Sequence, residues 1–342
     1  RMAKSNEKQL KFIDLFAGVG GIRLGFQGAE CRCVFTSEWD KYAQKTYFAN
    51  FGDVPHGDIT KIDAPSIPSF DILTAGFPCQ PFSSIGQRQG FEHKTQGTLF
   101  FDVARILKHH RPRAFLLENV AGLVTHDKGR TLQTILDALH ELRYDVWYKV
   151  LDAADYGVPQ HRDRIYIVGM RVNGSRAPIR PTDPNFPLLT SASKYADRFM
   201  WPKPNKEQVG VGQFIETNVE GYEISKHLQK VYMYKLDDGR PQVIDGKSNF
   251  PVKTLVACYH KIQRLTGTFV KDGPTGLRLL TADECKAVMG FPREFHFPVS
   301  RTQMYRQMGN SVAVPMIEAI AQEMVRSIKR EATSRASAKA RS

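Results

Sequence analysis

The chain has 342 residues, with 48 Lys and Arg against 35 Asp and Glu (formal net charge +13), 42% apolar and 24% charged residues. This is the composition of a folded globular protein; it excludes general disorder and suits one large or two modest domains. No stretch approaches the ~18 consecutive apolar residues of a membrane helix, and residues 1–8 lack the apolar run of a secretion signal, so a cytoplasmic protein without membrane attachment is expected.

In chain order, residues 12–16 read as a strand that breaks into Ala17-Gly18-Val19-Gly20-Gly21, with a helix-like stretch to about Phe26 and a second strand over 32–36 closing at Glu38. Further short apolar runs at 71–75, 114–117 and 165–169 alternate with helical patterns at 42–50, 99–108 and 131–142. Strands alternating with helices predict an α/β fold with a doubly wound, mostly parallel sheet. From about Arg171 the pattern changes. Residues 171–210 are rich in Pro, Ser and Arg, and 211–275 show turn signals (Asp238-Gly239, Asp245-Gly246, Asp272-Gly273-Pro274) but no sustained period. A smaller, irregular, β-containing domain is expected there. Thr281-Ala282-Asp283-Glu284 is a capping box opening a short helix that Gly290 and Pro292 stop. Another helix is expected from about Val312 to Ile328, followed by a basic, disordered tail over 329–342.

The charge is unevenly spread. Residues 1–170 carry 21 basic and 19 acidic side chains, 171–277 carry 16 and 10, and 278–342 carry 11 and 6. An excess confined to the middle segment and the tail suggests a polyanion partner. The five cysteines (31, 33, 79, 258 and 285) are odd in number and scattered, with no C-x-x-C pair. Neither a zinc site nor a disulfide framework is expected, and no metal.

A strand followed by Gly18-x-Gly20-Gly21 and a helix offers backbone N–H groups and close approach to a ligand. Arg23 breaks the G-x-G-x-x-G pattern, so the loop suits a single nucleoside better than a dinucleotide. Glu38 lies twenty residues beyond Gly18 at a strand end, where a carboxylate can accept both ribose hydroxyls, and Asp58 is similarly placed to accept from an adenine amino group. Pro78-Cys79-Gln80-Pro81 follows the 71–75 strand at its carboxyl end, on stiff backbone, and a long polar loop, 84–96, continues from it like a lid. Cys79 is therefore a candidate nucleophile. Glu118 closes the 114–117 strand; in a desolvated site its raised pKa would let it donate a proton at neutral pH. Arg162 and Arg164, two apart, share a face if the next strand reaches back to them. Each also has a plainer reading: a tight turn, a buried hydrophobe, a helix-end carboxylate, a salt bridge.

Together and in order, these residues resemble the DNA (cytosine-5) methyltransferase family of the single-chain bacterial type. Phe16-Ala17-Gly18-x-Gly20-Gly21 looks like its S-adenosylmethionine loop and Pro78-Cys79-Gln80 like its catalytic segment. Glu118-Asn119-Val120, Gln160-x-Arg162-x-Arg164, the stretch from Arg278 through Glu284 to Pro292, and Gly309-Asn310-Ser311-Val312 complete the series.

The resemblance implies a discontinuous Rossmann-like catalytic domain (1–172 and 278–328) with a target-recognition domain (173–277) inserted. It implies methyl transfer from S-adenosylmethionine, leaving S-adenosylhomocysteine, to C5 of a flipped-out cytosine in double-stranded DNA. Cys79 would attack C6, Glu118 would engage N3, and Arg162 and Arg164 would supply the positive charge a thiolate needs. Phe16 would stack on the cofactor adenine, Glu38 hold its ribose, and Trp39, Asp58 and Ile59 line the adenine side, with Gly18, Gly20, Pro78, Leu99, Asn310 and Ser311 completing the pocket. Gln80, Ser83 and Thr254 would face the DNA. A monomer working apart from any cognate restriction endonuclease is expected. A tRNA methyltransferase of the same chemistry and a non-enzymatic DNA-binding regulator are the alternatives; the basic, aromatic insert favours a duplex reader, and intact Cys79, Glu118 and Arg162 favour an enzyme.

Overall fold

The computed structural model describes residues 9–78, 98–178, 198–205 and 207–339. β1 (Lys11–Leu15) is buried on both sides, with Phe12 in one apolar cluster and Ile13 and Leu15 in another, as befits a central strand. It passes through the glycine loop into α1 (Gly21–Gly28), β2 (Arg32–Ser37) and α2 (Lys41–Phe51). The Asp40 carboxylate caps α2 by accepting from the Ala43 N–H at 2.7 Å. β3 (Ile72–Gly76), α3 (Leu99–His110), β4 (Ala114–Val120), α4 (Arg130–Glu141), β5 (Tyr144–Asp152) and β6 (Asp163–Arg171) complete the first half.

The sheet order is β2-β1-β3-β4-β6-β5. The first four strands are parallel, whereas β6 runs antiparallel to both β4 and β5. Val120 pairs with Arg164, so the beginning of β6 lies at the carboxyl end of β4. Val103, Ile106, Ile135 and Leu139 of α3 and α4 cover one face, and Ile22 and Phe26 of α1 with Ile317, Ile320 and Met324 cover the other. The result is the expected doubly wound α/β sheet, with an antiparallel edge that strand patterning alone does not disclose.

Residues 211–277 contain a short parallel pair, β7 (Gln242–Ile244) and β8 (Thr268–Val270). α5 (Ala282–Met289) has the predicted capping box, and Gly290 ends it in the left-handed conformation. α6 (Arg301–Asn310), which apolar periodicity did not signal, follows. Val288, Met304 and Met308 of these helices join Val211, Leu255 and Phe269 in a third cluster that reaches Val19 and Ala43. α7 (Val314–Lys339) returns to the sheet.

The disordered tail expected from residue 329 is corrected by α7, which continues through Lys339. Ala, Arg, Lys and Glu favour helix, no Gly or Pro interrupts the stretch, and Glu331 is held by Arg198 at 3.2 Å and Asn173 at 3.3 Å.

Candidate active site

The carboxyl ends of β1 to β4 open into a cleft of about 690 Å³, closed on its far side by α6 and the residues after it. Phe16, Gly18, Glu38, Trp39, Asp58, Ile59, Pro78, Leu99, Glu118, Arg162, Arg164, Asn310 and Ser311 all line it. Residues up to 295 apart in sequence therefore face one volume because parallel strands discharge their carboxyl ends on one side.

At the glycine loop, Phe16 has a φ of +56°, unusual for a residue with a side chain and typical of a functional turn. Glu38 fastens this loop to the start of α2. Its Oε2 accepts from the Gly18 N–H at 2.8 Å and its Oε1 from the Asp40 N–H at 2.7 Å. Burial raises the pKa of Glu38, and these amides oppose the rise. Each oxygen keeps lone-pair capacity for a further donor. Trp39 stands 76% exposed at the rim, Phe77 and Ile59 supply apolar wall, and a Cβ on Gly18 would meet nothing within 4 Å. A buried carboxylate, an open glycine edge and flanking aromatics fit a nucleoside. Asp58 Oδ1 is already engaged by the Thr60 N–H (3.0 Å) and hydroxyl (2.8 Å), which lower its pKa.

Gly20 does not line the cleft. Its φ is +92°, and a Cβ there would lie 2.3 Å from the Phe51 ring, so glycine is required for the turn and for packing.

At the other end of the cleft, Gly76 of β3 pairs with Glu118 of β4, and a Cβ on Gly76 would lie 3.3 Å from Glu118 Oε2. The Arg164 Nε sits 3.2 Å from Glu118 Oε1. Burial raises the pKa of Glu118, with Arg164 and Arg162 pulling it back. Asn119 donates to the Phe77 carbonyl at 2.8 Å and accepts from the Val120 N–H, which fixes the backbone entering Pro78. Cys79, Gln80 and Ser83 lie outside the described residues.

Arg162 is 2% exposed. It donates to the carbonyls of Leu255 (3.0 Å), Gly309 (2.8 Å) and Ser311 (2.6 Å). Burial, then the neighbouring Arg164, lowers its pKa to about 9, which leaves it cationic at neutral pH. The adjacent Gln160 bridges the Val288 carbonyl and the Leu255 N–H. Thr254 is half-buried and lies outside the cleft lining, and its hydroxyl donates to the His161 carbonyl at 2.7 Å. Sequence reasoning missed the clasp made by Arg162, the role of Asn119, and the cleft-lining Gln303, Arg306 and Gln307 of α6. The only available signal for the last three was a polar stripe at helical spacing ending on Asn310. Among the described residues no cluster of His, Cys, Asp and Glu could hold a metal ion, and no helix is long and apolar enough to cross a membrane.

Residues 10–326 match the family model of the C-5 cytosine-specific DNA methylases. The chain is similar to the Type II methyltransferase M.BsuFI of Bacillus subtilis, with 55% identity over 317 residues, 92% of this chain and 72% of that protein. It is also similar to the Type II methyltransferase M.MspI of Moraxella sp, with 52% identity over 319 residues, 93% of this chain and 71% of that protein. In fold it is similar to the S. pombe Dnmt2 methyltransferase, with a TM-score of 0.70 and 20% identity over 93% of this chain and 99% of that one. The motif order, the shared cleft and a family match over nearly the whole length lead to one conclusion: the chain belongs to the C-5 cytosine-specific DNA methylase family and is a DNA (cytosine-5) methyltransferase.

Proposed function

We propose that this enzyme transfers a methyl group from S-adenosylmethionine to C5 of a flipped-out cytosine within a specific double-stranded DNA site, through a covalent bond between Cys79 and C6. On this reading it is a cytoplasmic monomer and the modification partner of a separate restriction endonuclease; support comes from relatives named Type II methyltransferases. Its catalytic domain comprises 1–172 and 278–328, and 173–277 recognises the target.

The observation that carries the proposal is the convergence of Glu118, Arg164 and the backbone leading to Cys79 at one end of a cleft whose other end suits a nucleoside. S-adenosylmethionine, when bound, supplies an electrophilic methyl group and departs as S-adenosylhomocysteine. Glu38 would hold its ribose, Phe16 and Trp39 its adenine, with Asp58, Ile59, Pro78, Leu99, Asn310 and Ser311 around it.

The Cys79 thiolate adds to C6, and the displaced electron pair moves toward C5 and N3. Glu118, whose acid form burial favours against the pull of Arg164 and Arg162, donates to N3 as charge develops there. Arg164 orients Glu118, and Arg162 and Arg164 together favour the thiolate. C5 thereby becomes nucleophilic; after methylation, loss of its proton and breakage of the C6–S bond restore the ring, and N3 returns its proton to the Glu118 carboxylate. Thr254, Gln80 and Ser83 would lie along the DNA.

Duplex DNA carrying 5-fluorocytosine at the target tests this, because fluorine blocks the final elimination. A denaturant-resistant protein–DNA adduct is expected with the wild type and not with Cys79→Ser. A demonstrated substrate that yields no adduct after fluorination would overturn the Cys79 route.

A further inference from the structure

Resting on the proposed reading of duplex DNA, we propose that the loop 229–241, shaped from within by Arg264, is the prong that discriminates bases beside the flipped cytosine, and that Arg264 is its positioning residue. β7 and β8 run parallel, so their incoming segments, 229–241 and 259–267, lie at the same end of the pair. That end adjoins the stretch that carries His161 and Arg162. Gln242, at the start of β7, accepts from the Lys253 N–H (3.0 Å) and from the Thr268 hydroxyl. Thr254 then bonds to His161, and Leu255 to Arg162. A short chain of bonded residues thus joins the base of the prong to Arg162.

Arg264 is 2% exposed and sits inside the loop. Its Nε donates to the Met233 carbonyl (2.9 Å), and its Nη2 to the carbonyls of Leu236 (3.1 Å) and Arg240 (3.3 Å). Both terminal nitrogens pair with Asp238, and its backbone N–H donates to the Tyr232 hydroxyl at 3.2 Å. With no regular secondary structure past Met233, this one guanidinium gives the loop its shape.

The outer surface of the prong is apolar at its tip and basic around it. Tyr234 is 50% exposed and Leu236 58%, flanked by exposed Val231 and Leu265. Lys226, Lys230, Lys235, Arg240 and Lys261 are exposed nearby. Residues 226–271 carry nine basic and three acidic side chains, the whole excess of the 171–277 segment. An apolar tip within a cationic ring matches a groove in a polyanion: the cations neutralise phosphates without reading sequence, while aromatic and aliphatic groups contact base edges and thymine methyls. A loop fixed before binding presents those groups without an ordering penalty, which sharpens discrimination.

The test uses the full chain with S-adenosylmethionine and a library of duplexes randomised around a central cytosine, read by bisulfite sequencing. Tyr234→Ala and Leu236→Ala are expected to keep the thermal midpoint and cofactor affinity of the wild type. They should lose tenfold or more in kcat/KM on its preferred site and tolerate base changes at one or more flanking positions. Arg264→Lys should broaden the same positions and raise the KM for DNA more than it lowers kcat. Tip variants with the wild-type site profile and rate would overturn the proposal. Wild-type chain that methylates no duplex would overturn it too, by removing the DNA-methylation reading on which it rests.

Discussion

Arg162→Met separates two roles that one side chain could play, clasp and catalyst. The guanidinium donates to three carbonyls, those of Leu255, Gly309 and Ser311, in a site 2% exposed. A bond to a charged donor contributes about 1.5–3 kcal/mol net, and burial of the methionine stem recovers about 1–2 kcal/mol. Breaking such a buried network typically costs about 3–5 kcal/mol, a large share of the roughly 5–15 kcal/mol that a folded protein has in hand. Urea denaturation followed by fluorescence should therefore show a midpoint well below that of the wild type. Two of the three carbonyls flank Asn310 at the cleft wall. Calorimetry should accordingly find S-adenosylmethionine binding at least tenfold weaker. A variant with unchanged stability and cofactor affinity but no turnover would refute the clasp and leave Arg162 a role on the substrate alone.

Glu118→Gln should lower kcat by about 10²–10⁴-fold, the usual worth of a positioned proton donor, with cofactor affinity preserved. Burial raises the Glu118 pKa, so its donating acid form persists above the ordinary carboxylate range and is lost as pH rises through the raised value. The wild-type rate should show that alkaline decline, and a decline of the same midpoint in the Gln variant would exclude Glu118 as its source. Asp14 is fully buried with Oδ2 unpartnered, and burial pushes its carboxyl from 3.8 up to about 8, with Thr74 chief among the groups opposing. The folded chain then binds a proton that the unfolded chain has lost between those values, so stability falls as pH rises through this window. Urea titrations at pH 5 and pH 8 should show a wild-type loss about 3–4 kcal/mol greater than that of Asp14→Asn; parallel losses would refute it.

The first half of the sheet was legible because each of its strands is a short apolar run closed by a turn, and each intervening helix carries its own period. Direction was not, because an apolar run looks the same in either sense. Arg162 and Arg164 precede or begin a strand, which in an all-parallel sheet would put them at the end opposite the cleft. They reach it because β6 is antiparallel to β4 and pairs Arg164 with Val120. The motif order pointed to the residues, and only topology explains their meeting. Likewise, the glycine pattern marked Gly18 and Gly20 alike, although one faces the cleft and the other makes room for Phe51.

The rest of the site depends on partners too distant for any local pattern. The carbonyls held by Arg162 lie 93, 147 and 149 residues further on. The insert looked irregular because much of it is organised by buried polar side chains rather than by an apolar period. Arg264 holds one loop in this way, and Arg278, fully buried with Asp272 and Glu284, ties the end of the insert to the capping box of α5. A charge at such a position reads in sequence as part of the basic excess that suggested a polyanion. In the folded chain those two arginines are spent internally, whereas the lysines around the proposed prong stay exposed. Net charge therefore points to a segment, and burial decides which of its cations remain exposed for a polyanion.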